Sequence, residues 1–311
     1  MLRRKEFDIL GLGAVAVDDF IYVEAYPPPD AKARVVARRR ECGGLTAIAL
    51  IAAARLGARC AYAGGLGADE LSSFALECLK RERIDVSDVK QSPAARVVHS
   101  NIVLDPRRGT RNIFYDLNRV VGGDVVVPTS LIRSSRVLFV DNIGVRGMMR
   151  AARLARRSGI PVVADFDSAS DPRFLELLAL ADHVIISRRF ASELTGCSSP
   201  QKAVGALAAP GREVAIVTCG KAGCWYLARG WKGPKHQRAF KVATVNSTGC
   251  GDVFHGAYAF ALARGLPLEE RVRLASAAAA LKAKSDSGPA GIPSLPEVRG
   301  FLKHELDRQT R

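Results

Sequence analysis

The chain has 311 residues, a net charge of +15 and a hydrophobic fraction of 48% with few aromatic residues. This length allows one large α/β domain with a small excursion. The abundance of Ala, Val and Leu suits helices packed on a mostly parallel sheet rather than an all-β sandwich, and it argues against disorder. No apolar run reaches the roughly 20 residues needed to cross a bilayer.

The positive charge is spread along the chain and is not collected in one tail. Apart from Arg38–Arg40, the arginines occur on most of the predicted helices, as in 146–157. Phosphate neutralisation dominates nucleic-acid affinity, and that kind of binding needs a clustered basic surface. The dispersed charge therefore favours solvated helix faces and a general attraction of anionic substrates over specific nucleic-acid binding.

The seven cysteines and the first residues indicate the cellular compartment. The cysteines are scattered, with neither a CxxC pair nor metal-ligand spacing, which is typical of reduced thiols. The start of the chain leads into a strand without the hydrophobic region of a secretory signal. We therefore expect a cytoplasmic protein without a membrane partner.

The first elements along the chain predict one buried strand and then edge strands. Residues Phe7–Val17 form an apolar run that ends at Asp18. We predict a strand that delivers this carboxylate at its C-terminal end, where open α/β sheets bind ligands. Residues 21–40 alternate in part and contain Pro27–Pro29, which indicates strands outside the main sheet.

A helix and a hairpin follow. The pair Gly43–Gly44 opens the Ala-rich stretch Leu45–Leu56, which predicts a helix whose N-terminus can face an anion or a hydroxyl group. The segments Val97–Leu104 and Asn112–Tyr115 flank Pro106–Gly109, a hairpin signal with a turn rich in Gly and Pro.

From Val137 onward strands and helices alternate, which enforces parallel pairing with right-handed crossovers. The predicted strands are Val137–Val140, Pro161–Ala164 and His183–Ile186, and the predicted helices are Arg146–Arg157 and Pro172–Leu180. We therefore predict a single α/β domain over residues 1–311, with a doubly wound, mostly parallel sheet flanked by helices. A small β lid, formed by about 19–40 and 96–118, is expected as an insertion in it.

The most informative segment begins with a β-rich stretch at Val242, continues through Asn246–Asp252 and ends in the apolar helix Val253–Ala263. Glycines before a helix start let backbone N–H groups converge on one point, which makes an anion hole. A carboxylate there would be repelled by a phosphate unless it accepts a proton from an approaching nucleophile. On spacing alone, an ordinary Gly-rich turn with a dipole-compensating Asp252 is an equally good interpretation.

The segment Asn246–Asp252 resembles the second signature of the PfkB/ribokinase family, usually written Asp-Thr-x-Gly-Ala-Gly-Asp. Gly43–Gly44 with its Ala-rich helix looks like the first signature, and Thr218–Gly223 and Ser287–Gly291 are similar to the nucleotide-binding strand and the loop near the adenine. Two signatures in the expected order are much more specific than either alone. The resemblance implies a ribokinase-like fold, ATP and Mg²⁺ as cofactors, with K⁺ left open, and a homodimer formed through the lid.

The resemblance assigns roles to individual residues of the second signature. Asp252 would be the catalytic base, and the backbone amides of Gly249, Cys250 and Gly251 would form the anion hole. Cys250 replaces the usual Ala, so either a packed small residue or an unusually acidic thiol at a helix start is expected, with the first favoured.

Further roles follow for the two ligands. Asp18 matches the carboxylate that binds sugar hydroxyls in many members, and Gly43 and Gly44 would bring backbone amides to the substrate. Lys32 either meets an anionic group from the lid or is an exposed lid lysine. The expected ATP-binding residues are Ser187, Thr218, Gly220, Gly223, Gly288 and Gly291.

Three departures from the family pattern affect the metal and the acceptor. Asn246 replaces the first Asp of the second signature, and Phe190 stands where a Glu associated with magnesium is expected. We therefore expect no protein ligand to the metal, with Mg²⁺ bound through nucleotide phosphates and water. Ile48 replaces an Asn of many sugar kinases. The C-terminal half looks like the sulfofructose kinase branch, but Tyr115 and Ile143 lack the polar groups for that substrate.

The leading hypothesis is an ATP-dependent kinase that phosphorylates a hydroxyl group of a sugar or sugar-like molecule. A nucleoside kinase is one alternative, because Phe20, Tyr22, Phe114 and Tyr115 could favour a base over a polyol; core packing explains these aromatics equally well. A catalytically weakened ligand-binding or regulatory pseudo-kinase is the other, suggested by the departures at Asn246 and Phe190.

Overall fold

The structure is a computed structural model that describes residues 5–105, 107–108 and 110–309. Its strands are β1 (Phe7–Leu12), β2 (Ala16–Val23), β3 (Val35–Gly43), β4 (Cys60–Tyr62), β5 (Gly65–Leu66), β6 (Lys90–Gln91), β7 (Val98–Asp105), β8 (Thr110–Asp116), β9 (Ser135–Val140), β10 (Val162–Phe166), β11 (His183–Ser187), β12 (Val214–Thr218), β13 (Cys224–Ala228) and β14 (Lys235–Gln237). Its helices are α1 (Leu45–Arg55), α2 (Glu70–Arg81), α3 (Thr129–Arg133), α4 (Val145–Arg157), α5 (Phe174–Leu180), α6 (Arg188–Thr195), α7 (Pro200–Leu207), α8 (Cys250–Ala263), α9 (Leu268–Ala283) and α10 (Leu295–Gln309).

Eight strands form the main sheet in the order β14-β13-β12-β11-β10-β9-β1-β4. The pairs from β4 to β12 are parallel, and β13 and β14 add an antiparallel edge. Strands such as β10, which reads VVADF, are buried along their whole length, as expected for a sheet covered on both faces. The predicted doubly wound, mostly parallel α/β architecture is confirmed.

Helices cover both faces of this sheet and enclose two hydrophobic cores. The helices α1, α2, α8, α9 and α10 pack on one face, and α3 to α7 pack on the other. Helices α1 and α8 are in close contact at Gly256, where a Cβ would collide with the carbonyl oxygen of Ala49. This contact brings the N-terminus of α8 beside that of α1. No helix in the described ranges is long and apolar enough to span a membrane.

The prediction of one strand over Phe7–Val17 is wrong. The main-sheet strand β1 ends at Leu12, and the chain enters a different sheet at Ala16. Gly13 lies between them with φ +146°, where a Cβ would collide with the Asp141 carboxylate. Both strands are buried around this break, so the apolar run continues across it. Asp18 therefore lies on β2 and not at the end of a main-sheet strand.

A second sheet, called here the small sheet, has four strands in the order β3-β2-β7-β8. The β2–β7 pair is parallel, and the other two pairs are antiparallel. Its strands come from 16–43 and 98–116, so it extends beyond the predicted lid segments at Ala16 and Gly43. Pro106 and Gly109 of the predicted turn lie outside the described residues. Asp18, Ser100 and Tyr115 pair across three strands and so share one face.

Candidate active site

A cavity lies between the small sheet and the N-termini of α1 and α8. The small sheet contributes Asp18 and Glu41, and the start of α1 contributes Gly44. Thr248, Gly249, Asp252, Lys282 and Gly288 also line the cavity. The structure therefore brings Asp18, Gly43 and Gly44, predicted for substrate binding, into one cavity with Asp252, predicted for catalysis.

Asp252 lies in the first turn of α8 and is half-buried at the cavity wall. Burial and the neighbouring Asp165 carboxylate raise the pKa of Asp252 to about 7, while His255 opposes the rise. A carboxylate with a pKa near the working pH is suited to accept a proton from a hydroxyl group. The position and the pKa of this side chain both fit a general base.

A fully buried carboxyl group lies behind Asp252. Asp165 is on β10, and burial raises its pKa, with Asp167 and Asp141 adding to the rise. His255 is one helical turn after Asp252, and its Nδ1 lies 3.2 Å from Asp165 Oδ2. The same Nδ1 is 2.7 Å from the Gly251 carbonyl oxygen, and Nε2 is 2.9 Å from that of Ile185.

Carbonyl oxygens accept hydrogen bonds only, so His255 satisfies both contacts when both of its ring nitrogens carry protons. Burial lowers the pKa of His255, and the two carbonyl contacts and Asp252 oppose that effect. Through these two carbonyl contacts the ring holds the start of α8 against β11.

Asp141 follows β9 and is completely buried. Its Oδ2 accepts hydrogen bonds from the Ala14 N–H at 2.6 Å and from the Thr46 hydroxyl at 2.8 Å, and its Oδ1 accepts one from the Ile143 N–H at 2.7 Å. Burial raises the pKa of Asp141 to about 7, and these bonds oppose the rise. This carboxyl group connects α1, the end of β9 and the crossing into the small sheet.

The predicted anion hole is a turn at the start of α8. Gly249 is its N-cap residue in a left-handed conformation, with φ +76°. A Cβ at Gly249 would meet no atom of another residue closer than 3.9 Å, and one at Gly251 would meet none within 4 Å among the described residues. Packing therefore does not require glycine at 251, and the open backbone there fits an approaching phosphate group.

Asn246 holds this turn with its side chain. The Thr248 N–H donates a hydrogen bond to Asn246 Oδ1 at 2.9 Å, so an amide replaces the usual carboxylate in that structural role. The expected strand at Val242 is absent, because no strand occurs in residues 238–249. An acidic thiol at Cys250 is also wrong: burial raises its pKa, although Lys282 opposes the rise.

Asp18 and the two glycines of the first signature lie together at the other end of the cavity. A Cβ at Gly43 would collide with the Asp18 carboxylate, and Gly44 has φ +96° with Ala14 directly behind it. Burial raises the pKa of Asp18, while a Ser100 hydrogen bond and His99 oppose it. Lys32 is exposed between β2 and β3 and does not line the cavity.

The predicted ATP-binding residues divide into two groups. Ser187 and Thr218 are paired neighbours at the carboxyl ends of β11 and β12, followed by Gly220 and Gly223 in the next turn. Gly223 has φ +90°, and a Cβ there would collide with the Gln237 carbonyl oxygen. Gly288 lines the cavity beside Glu41, and Gly291 closes the same short 3-10 turn. The first group lies outside this cavity, along the same edge of the main sheet.

Phe190 is a core residue, with its ring centroid 5.7 Å from that of Phe174. Among the described residues, no group of three or more His, Cys, Asp or Glu side chains could hold a metal ion.

Of the four aromatics considered for a nucleoside, Phe20 lines the cavity, but the Arg39 guanidinium covers its ring at 5.3 Å.

Sequence reasoning missed four residues around this site. Asp141 and Asp165 come at or after the ends of parallel strands, a signal that the sequence offered through the apolar runs before them. His255 follows Asp252 by three residues, a spacing that places both on one side of a helix. Lys282 gave no signal, because a lysine near a helix end is usually solvated.

The family described as pfkB family carbohydrate kinase matches residues 8–295. Ribokinase from Haemophilus influenzae is 25% identical over 306 residues, covering 94% of this chain and 97% of that protein. Fructokinase-1 from Oryza sativa is 28% identical over 289 residues, covering 84% of this chain and 87% of that protein. The structure of Arabidopsis thaliana ribokinase complexed with ribose and ATP superposes with a TM-score of 0.85 at 22% identity, covering 96% of this chain and 99% of that one.

Proposed function

The chain belongs to the pfkB family of carbohydrate kinases, and on that premise we propose that it transfers the γ-phosphate of ATP to a hydroxyl group of a sugar or sugar-like molecule with Asp252 as the base. One observation carries the assignment of the base. The Asp252 carboxyl group, with a pKa raised to about 7, faces the cavity at the helix start that suits a phosphate group.

The proposed mechanism uses the two ends of the cavity. Asp18 and the backbone at Gly43–Gly44 bind and orient the acceptor, and Asp252 takes the proton from the attacking hydroxyl group. The N–H groups at the start of α8 stabilise the negative charge of the group in transfer. His255 and Asp165 hold Asp252 in place from behind. Closure of the small sheet over the acceptor would exclude water.

The nucleotide would supply the phosphoryl group, and Mg²⁺ bound with it would neutralise the charge of its phosphates. Ser187, Thr218, Gly220, Gly223, Gly288 and Gly291 are proposed to hold the nucleotide along the edge of the main sheet. The buried Phe190 ring offers no oxygen ligand, so we propose that Mg²⁺ is bound through the phosphates and water.

The acceptor and the base are tested together by ADP release with MgATP over a panel of neutral sugars, sugar acids and nucleosides. We expect turnover on one sugar class and a loss of about 10²- to 10⁴-fold in Asp252→Asn, because a positioned base contributes that much. Asp182→Asn is the matched control, since Asp182 lies at the N-terminal end of β11, away from the cavity, and accepts a hydrogen bond from the Val162 N–H. Equal turnover in the wild type and Asp252→Asn would contradict the assignment.

We also propose a homodimer formed through the small sheet. Strand β8 is exposed along its length, and Phe114 and Tyr115 are 54% and 68% exposed. Adjacent large apolar side chains on an uncovered strand are typical of an interaction surface.

The seven cysteines are free thiols, which supports the proposed cytoplasmic location.

A further inference from the structure

Lys282 is a buried lysine at the cavity. It lies in the last turn of α9, is 2% exposed and lines the same cavity as Asp252. Its Nζ has no hydrogen-bond partner within the described part of the chain. Burial of an ammonium group without a partner is costly, so a residue of this kind needs a compensating ligand.

Two acidic groups near Lys282, Glu41 and Asp286, are engaged elsewhere. Glu41 is close enough for its pKa to respond to Lys282, but its Oε1 lies 2.7 Å from Arg39 Nε. The Asp286 carboxylate accepts a long hydrogen bond from the Asn246 amide at 3.4 Å. Among the described residues, therefore, no acidic side chain forms a hydrogen bond with the Lys282 ammonium group.

Lys282 lies near the predicted anion hole, because it lines the same cavity as Gly249 at the start of α8. Its charge opposes the burial that raises the pKa of the Cys250 thiol in that turn. The N–H groups of this turn supply partial positive charge. Lys282 adds a full charge with three donors, so the two features together suit a group with several negative oxygens.

We propose that Lys282 is the cationic contact of an oxyanion site in the cavity, a role that rests on the proposed kinase function. The oxyanion is either the phosphoryl group in transfer or an acidic group carried by the acceptor. Both present the same chemistry to the ammonium group, and kinetics separate them. Lys282 is a residue that positions or stabilises the anion, and Asp252 remains the base.

Binding of inorganic phosphate tests the site without turnover. Thermal unfolding is followed as potassium phosphate is titrated at constant ionic strength with potassium chloride, for the wild type, Lys282→Met, Lys282→Arg and Lys284→Met. Methionine keeps an unbranched buried stem without charge, and the exposed Lys284 is the matched control. We expect phosphate to stabilise the wild type, Lys282→Arg and Lys284→Met, with at least about tenfold weaker apparent binding in Lys282→Met.

Equal phosphate binding in Lys282→Met and the wild type overturns the proposal, and so does a lack of phosphate binding by the wild type. If Lys282→Met fails to fold, Lys282→Gln takes its place in the same titration. Asp252→Asn is expected to keep the phosphate response. Full turnover in Asp252→Asn together with lost phosphate binding in Lys282→Met would refute the proposed base and leave the oxyanion site standing.

Steady-state kinetics on neutral and acidic sugars then identify the oxyanion. A similar fall in kcat on both in Lys282→Met assigns Lys282 to the phosphoryl group. A fall in kcat/KM at least about tenfold larger for the acidic sugars assigns it to an acidic group of the acceptor. Kinetics equal to those of the wild type on both classes overturn the proposal.

Discussion

Asp141 and Asp252, at the carboxyl edge of the main sheet, differ from Asp19 of the small sheet in how their charges are compensated. In the small sheet, a hydrogen bond from Arg40 lowers the pKa of Asp19 to about 2. At the edge of the main sheet, burial raises the pKa of Asp141 and of Asp252 to about 7. An exposed ion pair fixes a charge, whereas burial without a guanidinium partner leaves a carboxyl group able to exchange a proton near neutral pH.

The largest effect on stability in this comparison is expected for Asp141→Ala. The substitution leaves the N–H groups of Ala14 and Ile143 without their acceptor, whereas the Thr46 hydroxyl keeps the Leu12 carbonyl oxygen at 3.3 Å. Each buried orphan costs about 1–3 kcal/mol, so we expect a loss of about 2–6 kcal/mol in the free energy of unfolding. Urea denaturation measures it, with Asp19→Ala as the matched control in the small sheet, where a loss of about 1 kcal/mol or less is expected. Equal losses would remove the distinction between the two regions.

A smaller effect of opposite sign is expected for Asp252→Asn. A folded-state pKa raised above the usual value of a carboxyl group stabilises the fold at low pH, and this stability is lost as the pH rises through about 7. Removing the charge should therefore stabilise the protein at pH 8 by about 1–3 kcal/mol, less at pH 5. Chemical denaturation at the two pH values measures the difference. A destabilised variant at pH 8 would show that the carboxylate is compensated better than its burial indicates.

The smallest effect on the fold is expected for the exposed strand of the small sheet. The double variant Phe114→Ser/Tyr115→Ser removes two exposed aromatic side chains, so the free energy of unfolding of the isolated subunit should change by about 0.5 kcal/mol or less. Light scattering after size exclusion should show a monomer in place of the proposed dimer. The exposed Arg111→Ser on the same strand is the control and should keep the wild-type mass. An unchanged mass for the double variant would exclude this surface from the interface.

The sequence predicted the elements whose signals are local. The stretch Leu45–Leu56 predicted after Gly43–Gly44 agrees with α1 to within one residue. The alternation of strands and helices after Val137 predicted the parallel strands and the helices between them. The break at Gly13 was missed because apolar residues continue on both sides of it, and the need for glycine arises from Asp141, more than 120 residues away. A local pattern cannot contain that contact.

The site was predictable to the extent that short motifs carry it. Asp252, Gly249 and Asp18 line one cavity, although Asp18 reaches it from a different strand than expected. The partners behind Asp252 depend on the packing of α8 against β10 and β11, which no motif specifies. Lys282 depends on the burial of one helix end, which the residues beside it, apolar before Lys282 and polar from Lys284 onward, do not reveal.

The central claim is that Asp252 acts as a base with a pKa near 7. The direct test is the pH dependence of kcat for the wild type, on the acceptor that the panel identifies, from about pH 5.5 to 8.5, with Asp252→Asn measured beside it. Because the carboxylate must be ionised to accept the proton, we predict a rise of about tenfold per pH unit below an apparent pKa near 7 and a plateau above it. The variant should lose both the rate and this dependence. A wild-type rate that is constant over this range, or a profile that Asp252→Asn shares at full activity, would contradict the account.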